Sequence, residues 1–331
     1  MRSAPWLLPL ATGMMLSIGM TACSRPTATG GEPGRDAAAS AATNPDAAPA
    51  IAPATVAADG PPLPAGAAPC PSLAGGPACM RFASVEDAFR WVLAHDPAIL
   101  AVGEAHAQKG TEGIPSATKR FTDAFLPVLE HRASDVLVEA WAGDPKCQQA
   151  VKAVASAQKP VQQAQAQTNP NEYLTLGNRA KALGMVPDLL RPSCDDYASL
   201  ADAGADTITA SLALIKRLTQ AQALKLFQRN EALKNRQLVV TYGGAMHNDL
   251  APAESLRQYS FGPELAQQTA GRYVELDLIV PEYVKKTESW EKLPWFASWQ
   301  ADSSPKDRPT LYRLGDRSFT LLFASSSLAP P

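Results

Sequence analysis

From residue 84 onward, short apolar runs alternate with longer stretches in which apolar residues recur every third or fourth position. Ser84 opens "SVEDAFRWVLAH", and Asp87 stands three residues later, so the segment is predicted to be a helix with a capping box. "AILAV" (98–102), bounded by Pro97 and Gly103, is predicted to be a buried strand. "ATKRFTDAFLPVLEHR" keeps a helical period despite Pro127, and "DVLVEA" (135–140) is the next strand. Helical stretches follow at about 146–157 and 171–183, with "MVPDLL" (185–190) as a strand weakened by its proline. A long helix over roughly 206–235 carries apolar positions 208, 212, 215 and 218 on one face. "QLVVTY" and "YVELDLIV" (273–280) are further strands, and "TLYRLGDRSFTLLF" turns at Gly315-Asp316 between two strand-like runs.

Strands alternating with helices imply an α/β fold with a mostly parallel sheet, helices on both faces and a C-terminal antiparallel hairpin at the edge. Ligands of such sheets bind beyond the carboxyl ends of the strands. The chain holds four histidines, His95, His106, His131 and His247. Two of them share one setting. "VGEAH" and "GGAMH" each run from an apolar strand through Gly-x-x-His, and Glu139 closes the strand "DVLVE". Glycine permits a sharp turn after the strand, so His106, His247 and Glu139 are expected to converge on one crevice. His95 and His131 end predicted helices, where an imidazolium suits the helix C-terminus, and both read as structural.

"VGEAH", the glutamate of "VLVEAW", the Arg-Asn pair of "FQRNEALKN" and "GGAMH" together resemble the superfamily that joins Tiki and TraB proteins, ChaN-type haem-binding lipoproteins and erythromycin esterases. "YLTLGNRAKALGM" is similar to the ChaN stretch before its third strand. The resemblance implies that Glu104, His106, Glu139, Arg229 and His247 are the functional positions. Arg229 lies nine residues before its strand, about 13 Å along a helix, and the strand climbs about 16 Å, so its side chain is expected to reach the site. Asn230 and Asp249 read as supporting or capping groups.

Three chemistries follow from these residues. His106, His247 and Glu139 can ligate a divalent ion, Zn²⁺ or Mn²⁺, with an open position for water and a second glutamate as general base, as in a Tiki-like hydrolase. Without metal, His106 acts as general base on water, oriented by Glu104 or Glu139, as the resemblance to erythromycin esterases implies. A ChaN-like carrier would instead bind haem, with a histidine or Tyr242 as axial ligand. The expected partner is a small-molecule or peptide substrate. No Gly-x-Ser-x-Gly, P-loop or Gly-x-Gly-x-x-Gly sequence occurs, which removes the usual serine hydrolase and nucleotide-binding signatures.

Composition narrows the setting. The 331 residues are 46% apolar and 19% charged, with a net charge of −2; such a balance gives no reason to expect nucleic acid as partner. Residues 1–22 read as a secretory signal, with Arg2, an apolar stretch too short to span a bilayer, and a lipobox-like ending before Cys23. A lipid on Cys23 would anchor the protein to a membrane of the bacterial cell envelope; Ser24, in place of an aspartate, points to the outer membrane. Residues 23–69, rich in Ala, Pro and Gly, read as a disordered tether, leaving 70–326 as the folded domain. Cys70, Cys79, Cys147 and Cys194 remain. In an exported protein they are expected to form disulfides, Cys70–Cys79 around a short loop and Cys147–Cys194 across the domain. No CxxC pair occurs, so zinc is not expected on them.

Overall fold

The computed structural model describes residues 61–71 and 73–326. The signal segment, Cys23 and most of the expected tether fall outside the described residues. Among the described residues nine strands form one sheet: β1 Ala68–Pro69, β2 Ala78–Arg81, β3 Ile99–Glu104, β4 Ala133–Trp141, β5 Val186–Leu190, β6 Leu238–Gly244, β7 Tyr273–Ile279, β8 Thr310–Arg313 and β9 Ser318–Leu322. Their spatial order is β1-β2-β8-β9-β7-β3-β6-β4-β5. The six strands from β9 to β5 are parallel, and β1, β2 and β8 add antiparallel pairings at one side. The α/β architecture read from the chain pattern is the observed one.

Longer helices cover both faces: α1 Val85–Leu93, α2 Ala117–Arg120, α3 Leu126–Leu129, α4 Gln148–Ala164, α5 Asn169–Ala182, α6 Cys194–Asp202, α7 Thr207–Ala232, with α8 Ala245–Asn248 and α9 Gly262–Gln268 near the C-terminal strands. Ser84 caps α1 by accepting from Asp87 N at 3.1 Å, one half of the expected capping box; no return bond from Ser84 N to the Asp87 carboxylate is seen among the described residues. Between α2 and α3 the chain widens into a π-turn, Phe121–Phe125, immediately before Pro127. A proline lacks the N–H that an α-helix needs and crowds the carbonyl four residues back. The wider turn is where that conflict is absorbed.

Strand alternation sorts the side chains into two cores. Leu100, Val102, Val138, Val240 and Leu276 face α1, the 117–129 segment and α5. Ile99, Ala101, Leu137 and Val239 face α4, α6, α7 and α9. Both faces of the central strands are therefore apolar, which explains why β3 reads as a continuous run. Pro187 is accommodated because β5 is an edge strand paired only with β4.

Three expectations need correction. The C-terminal hairpin is not the sheet edge, because β2 pairs with β8 and β1 lies outside β2. The folded part begins before Cys70: Ala68–Pro69 form β1, Pro61 O accepts from Trp91 Nε1 at 2.9 Å, and Gly66 O accepts from Arg308. A Pro- and Ala-rich stretch can still join a sheet when a neighbouring strand offers its edge. Finally, Cys70 and Cys79 form a disulfide, whereas Cys147 and Cys194 are thiols.

The chain enters β3 and leaves toward β4, beyond β6; it later leaves β6 toward β7, on the far side of β3. The two departures use opposite faces of the sheet, the first through α2 and α3, the second through α9. Adjacent strands whose connections part in this way open a crevice at their carboxyl ends. Both Gly-x-x-His segments start there.

Candidate active site

β3 and β6 run in parallel register with Gly103 beside Gly243 and Glu104 beside Gly244. Their ends therefore deliver "GEAH" and "GAMH" side by side. The glycines are needed for packing rather than for unusual torsions. An ideal Cβ on Gly103 would lie 2.6 Å from Ala245 Cα and 2.6 Å from Asn248 Oδ1. Only a residue without a side chain lets α8 settle on β3. A Cβ on Gly244 would lie 3.6 Å from His106 Nε2, 3.8 Å from Glu139 Oε2 and 3.8 Å from His247 Cδ2. All three side chains thus border one point, and the structure brings the two imidazoles together.

Each imidazole is pinned through Nδ1. His106 Nδ1 donates to Glu104 Oε1 at 2.6 Å, and His247 Nδ1 donates to the carbonyl of Tyr259 at 2.8 Å. Those acceptors carry no proton, so in each neutral ring the lone pair sits on Nε2. His106 and His247 both line a cleft of about 1550 Å³, yet Glu104, His106, Glu139 and His247 are each no more than 6% exposed. Glu104, His106 and His247 form the floor of the cleft, not its rim, with Glu139 buried beside them.

Glu104 is saturated with donors. Besides His106 it accepts from Thr118 Oγ1 at 2.9 and 3.0 Å, Tyr173 OH at 2.9 Å and Tyr242 OH at 2.7 Å. Burial pushes its carboxyl up, but the bond and charge of His106, with bonds from Tyr242 and Thr118, hold it below the ordinary value. Glu104 is therefore a carboxylate that orients His106, and it has no capacity left for a substrate. Burial, reinforced by the Glu104 charge, pushes the phenols of Tyr173 and Tyr242 well above their ordinary values, so both stay protonated donors.

Glu139 occupies the β4 irregularity where regular pairing with β5 and β6 lapses after Val138. Its Oε2 accepts from Gly244 N at 2.8 Å. Its Oε1 is buried, accepts no hydrogen bond among the described residues, and lies 3.9 Å from His247 Nε2.

Of the expected site residues, Arg229 stands elsewhere and Tyr242 takes another role. Arg229 pairs with buried Asp135 at the start of β4 and with Asn230 Oδ1. The helix ends at Ala232, so Arg229 lies one turn above the bottom of the sheet. The residues between helix and strand add no helical rise, and a height counted from the strand start overestimates its reach. Tyr242 is 1% exposed with its hydroxyl committed to Glu104. It offers no axial position to haem. Of the supporting groups, Asn230 braces β4 through Ser134 at the bottom of the sheet. Asp249 does line the cleft.

Other contributors went unrecognised in the sequence. Thr118 and Tyr173 meet Glu104 from α2 and α5, and no spacing rule links positions so far apart along the chain. Asn248, adjacent to His247, donates to Asp277 Oδ1 at 2.9 Å. Asp277 and Glu275, alternate residues of β7, extend the cleft floor with Asp249. Burial, then the neighbouring carboxylates, pushes Glu275 up; burial pushes Asp277 up to about 7. The far wall carries Lys285, Trp290 and Arg313.

The donor chemistry at His106, His247 and Glu139 suits a divalent ion, since ligating histidines ordinarily donate their other N–H to a carboxylate or carbonyl. The spacing does not. These three do not present ligand atoms all within 4.8 Å of one another; among the described residues only Asp144, Cys147 and Cys194 do so. Comparisons with protein-family models, with curated proteins and with solved structures returned no match.

Proposed function

We propose that this protein is a hydrolase of small esters or amides in which His106 is the general base. The observation that carries this is the Glu104–His106 pair: a buried, fully bonded carboxylate fixes Nδ1–H and turns Nε2 toward the cleft. In the reaction, a water gives its proton to His106 Nε2 as its oxygen bonds to the carbonyl carbon. His106 Nε2–H then gives that proton to the leaving oxygen or nitrogen as the scissile bond breaks, while His247, held by Tyr259 and beside Glu139, borders the same point. The resemblance to Tiki, TraB and erythromycin esterase proteins supports a hydrolytic assignment. On this assignment the protein acts at the bacterial cell envelope, held by lipid on Cys23.

A second mode is favoured by the orphaned Glu139 Oε1 beside two histidines pinned at Nδ1. There His106, His247 and Glu139 would hold Zn²⁺ or Mn²⁺, which would supply an activated water. It requires the three donors to draw together, and no step above is routed through an ion. The full-length protein should be assayed on a panel of activated esters and anilides, with chelator and with added Zn²⁺ or Mn²⁺. Turnover that survives chelation and falls about 10²–10⁴-fold in His106→Ala fits the general base. Turnover lost on chelation and restored by the ion fits the second mode. Equal turnover in wild type, His106→Ala and His247→Ala would remove both.

A further inference from the structure

A second cluster of reactive side chains lies away from the cleft, and nothing above uses it. After β4 the chain makes a short 3₁₀ turn, Pro145–Cys147, capped by Asp144, whose Oδ1 accepts from Lys146 N at 2.8 Å. Cys147 is the N-cap of the long helix α4. Across from it, Cys194 is the first residue of α6, which Ser193 and Asp196 close with a capping box. Trp141 and Tyr197 pack edge to face between the same segments, their centroids 6.0 Å apart.

Three features point to a ligand. One oxygen of Asp144 and the sulfurs of Cys147 and Cys194 all lie within 4.8 Å of one another, and among the described residues no other group of three His, Cys, Asp or Glu side chains converges so closely. Tetrahedral zinc, with bonds of about 2.3 Å to sulfur and 2.0–2.2 Å to oxygen, sets its ligands roughly 3.5–4 Å apart. Both sulfurs stand at the start of helices, 17 and 9 residues long, where the first backbone N–H groups suit the negative charge of a metal-bound sulfur. The cluster also opens onto a separate hollow of about 560 Å³ bordered by Lys146, Asp195 and Asp202, which leaves room for water as a fourth ligand. The thiol of Cys147 donates to the Asp144 carbonyl at 3.5 Å.

We propose that Asp144, Cys147 and Cys194 form a Zn²⁺ site that clamps the loop after β4 to the start of α6. Binding converts two thiols to thiolates and forms two Zn–S bonds and one Zn–O bond. It releases two protons to solvent, so affinity rises with pH. No oxidation is involved, and the site is independent of the His106–His247 chemistry. Its place explains a use for the clamp, because the loop it fixes is the continuation of the strand that carries Glu139.

The test is a titration of the full-length protein, purified without added reductant, with Co²⁺ as a spectroscopic stand-in for Zn²⁺. One equivalent should bind, with an intense thiolate-to-metal band and release of two protons, and Zn²⁺ should displace it. The band should vanish in Cys147→Ser and Cys194→Ser and persist in His106→Ala. Asp144→Asn keeps both thiols and the cap geometry, so it tests the site without endangering the fold; its affinity should fall at least tenfold. Saturable binding that survives Asp144→Asn and Cys194→Ser unchanged would overturn the site. So would absence of a thiolate band, or a Cys147–Cys194 disulfide mapped in the protein as purified.

Discussion

Glu139 fills the space that a side chain on Gly243 would occupy: an ideal Cβ there would lie 2.7 Å from Glu139 Cβ and closer still to its carboxylate. The pairing of a bare strand position with a buried acid on the next strand fixes where Oε1 points, toward His247. Gly243→Ala should therefore displace Glu139 rather than simply overfill the core. The expected cost is about 1–3 kcal/mol in stability, with a fall in kcat larger than that of Glu139→Gln, which keeps the shape. Thermal melts and kinetics of both variants would decide it; equal kcat in Gly243→Ala and wild type would show that Glu139 has no part in turnover.

Glu104 acts through His106, so Glu104→Gln should change kcat more than KM. The amide oxygen is a neutral, weaker acceptor and its NH2 is a donor, so the imidazole is no longer held in one tautomer. A fall of about 10²-fold or more in kcat is expected, with the pH–rate profile displaced. A purely structural Glu104 would lower the melting temperature and leave that profile in place.

Two carboxylates pull the pH dependence of stability in opposite directions. Glu104 is held below its ordinary 4.5 in the folded protein, so its contribution is present above that value and is lost as pH falls through the folded one. Asp277 moves from 3.8 to about 7, so the fold favours its protonated form; that contribution is complete below about 3.8 and is lost as pH rises through about 7. Asp277→Asn should raise the melting temperature at about pH 8 and leave it almost unchanged at about pH 4. Parallel curves for variant and wild type across that range would contradict it.

Arg229→Ala should reduce stability without touching catalysis. It strips the partner from Asp135, which is fully buried, and a buried acceptor left without its donor costs about 1–3 kcal/mol. The guanidinium is partly exposed, which places the effect toward the lower end. Kinetic constants should match wild type. A lower kcat at full folding would return Arg229 to the active site.

How much of this was legible in the chain varied with the kind of signal. β3 and β6 announced themselves because a strand covered on both faces is largely apolar, β7 through apolar residues alternating with Glu275 and Asp277, and Gly-x-x-His stood out because glycine is required where α8 meets β3. Local periodicity carries such information. It carries none about Tyr173 and Thr118, which reach Glu104 only through the packing of α5 and α2. It misled at Arg229, where distance along a helix was counted beyond the helix end. β1 and β2 escaped because two- and four-residue strands have no pattern of their own and exist only against β8. Cys147 and Cys194 were expected to form a disulfide and instead stand as thiols, because a count of cysteines cannot say whether a bond joins them.

The pairing of β2 with β8 ties the first part of the fold to the last. The ribbon of β1 and β2 is complete once Arg81 has been made, yet its partner strand, ending at Arg313, emerges only after almost all the rest of the domain. β9, which must slot between β7 and β8, comes later still. A chain that lacks everything from Thr310 onward therefore has two unsatisfied strand edges, one on β7 and one on β2, and the Cys70–Cys79 bond, once formed after export, holds the second in place without hiding it. Such long-range closure is slow and leaves sticky edges while it waits. Nascent copies should depend on an escort protein until their final dozen or so residues arrive.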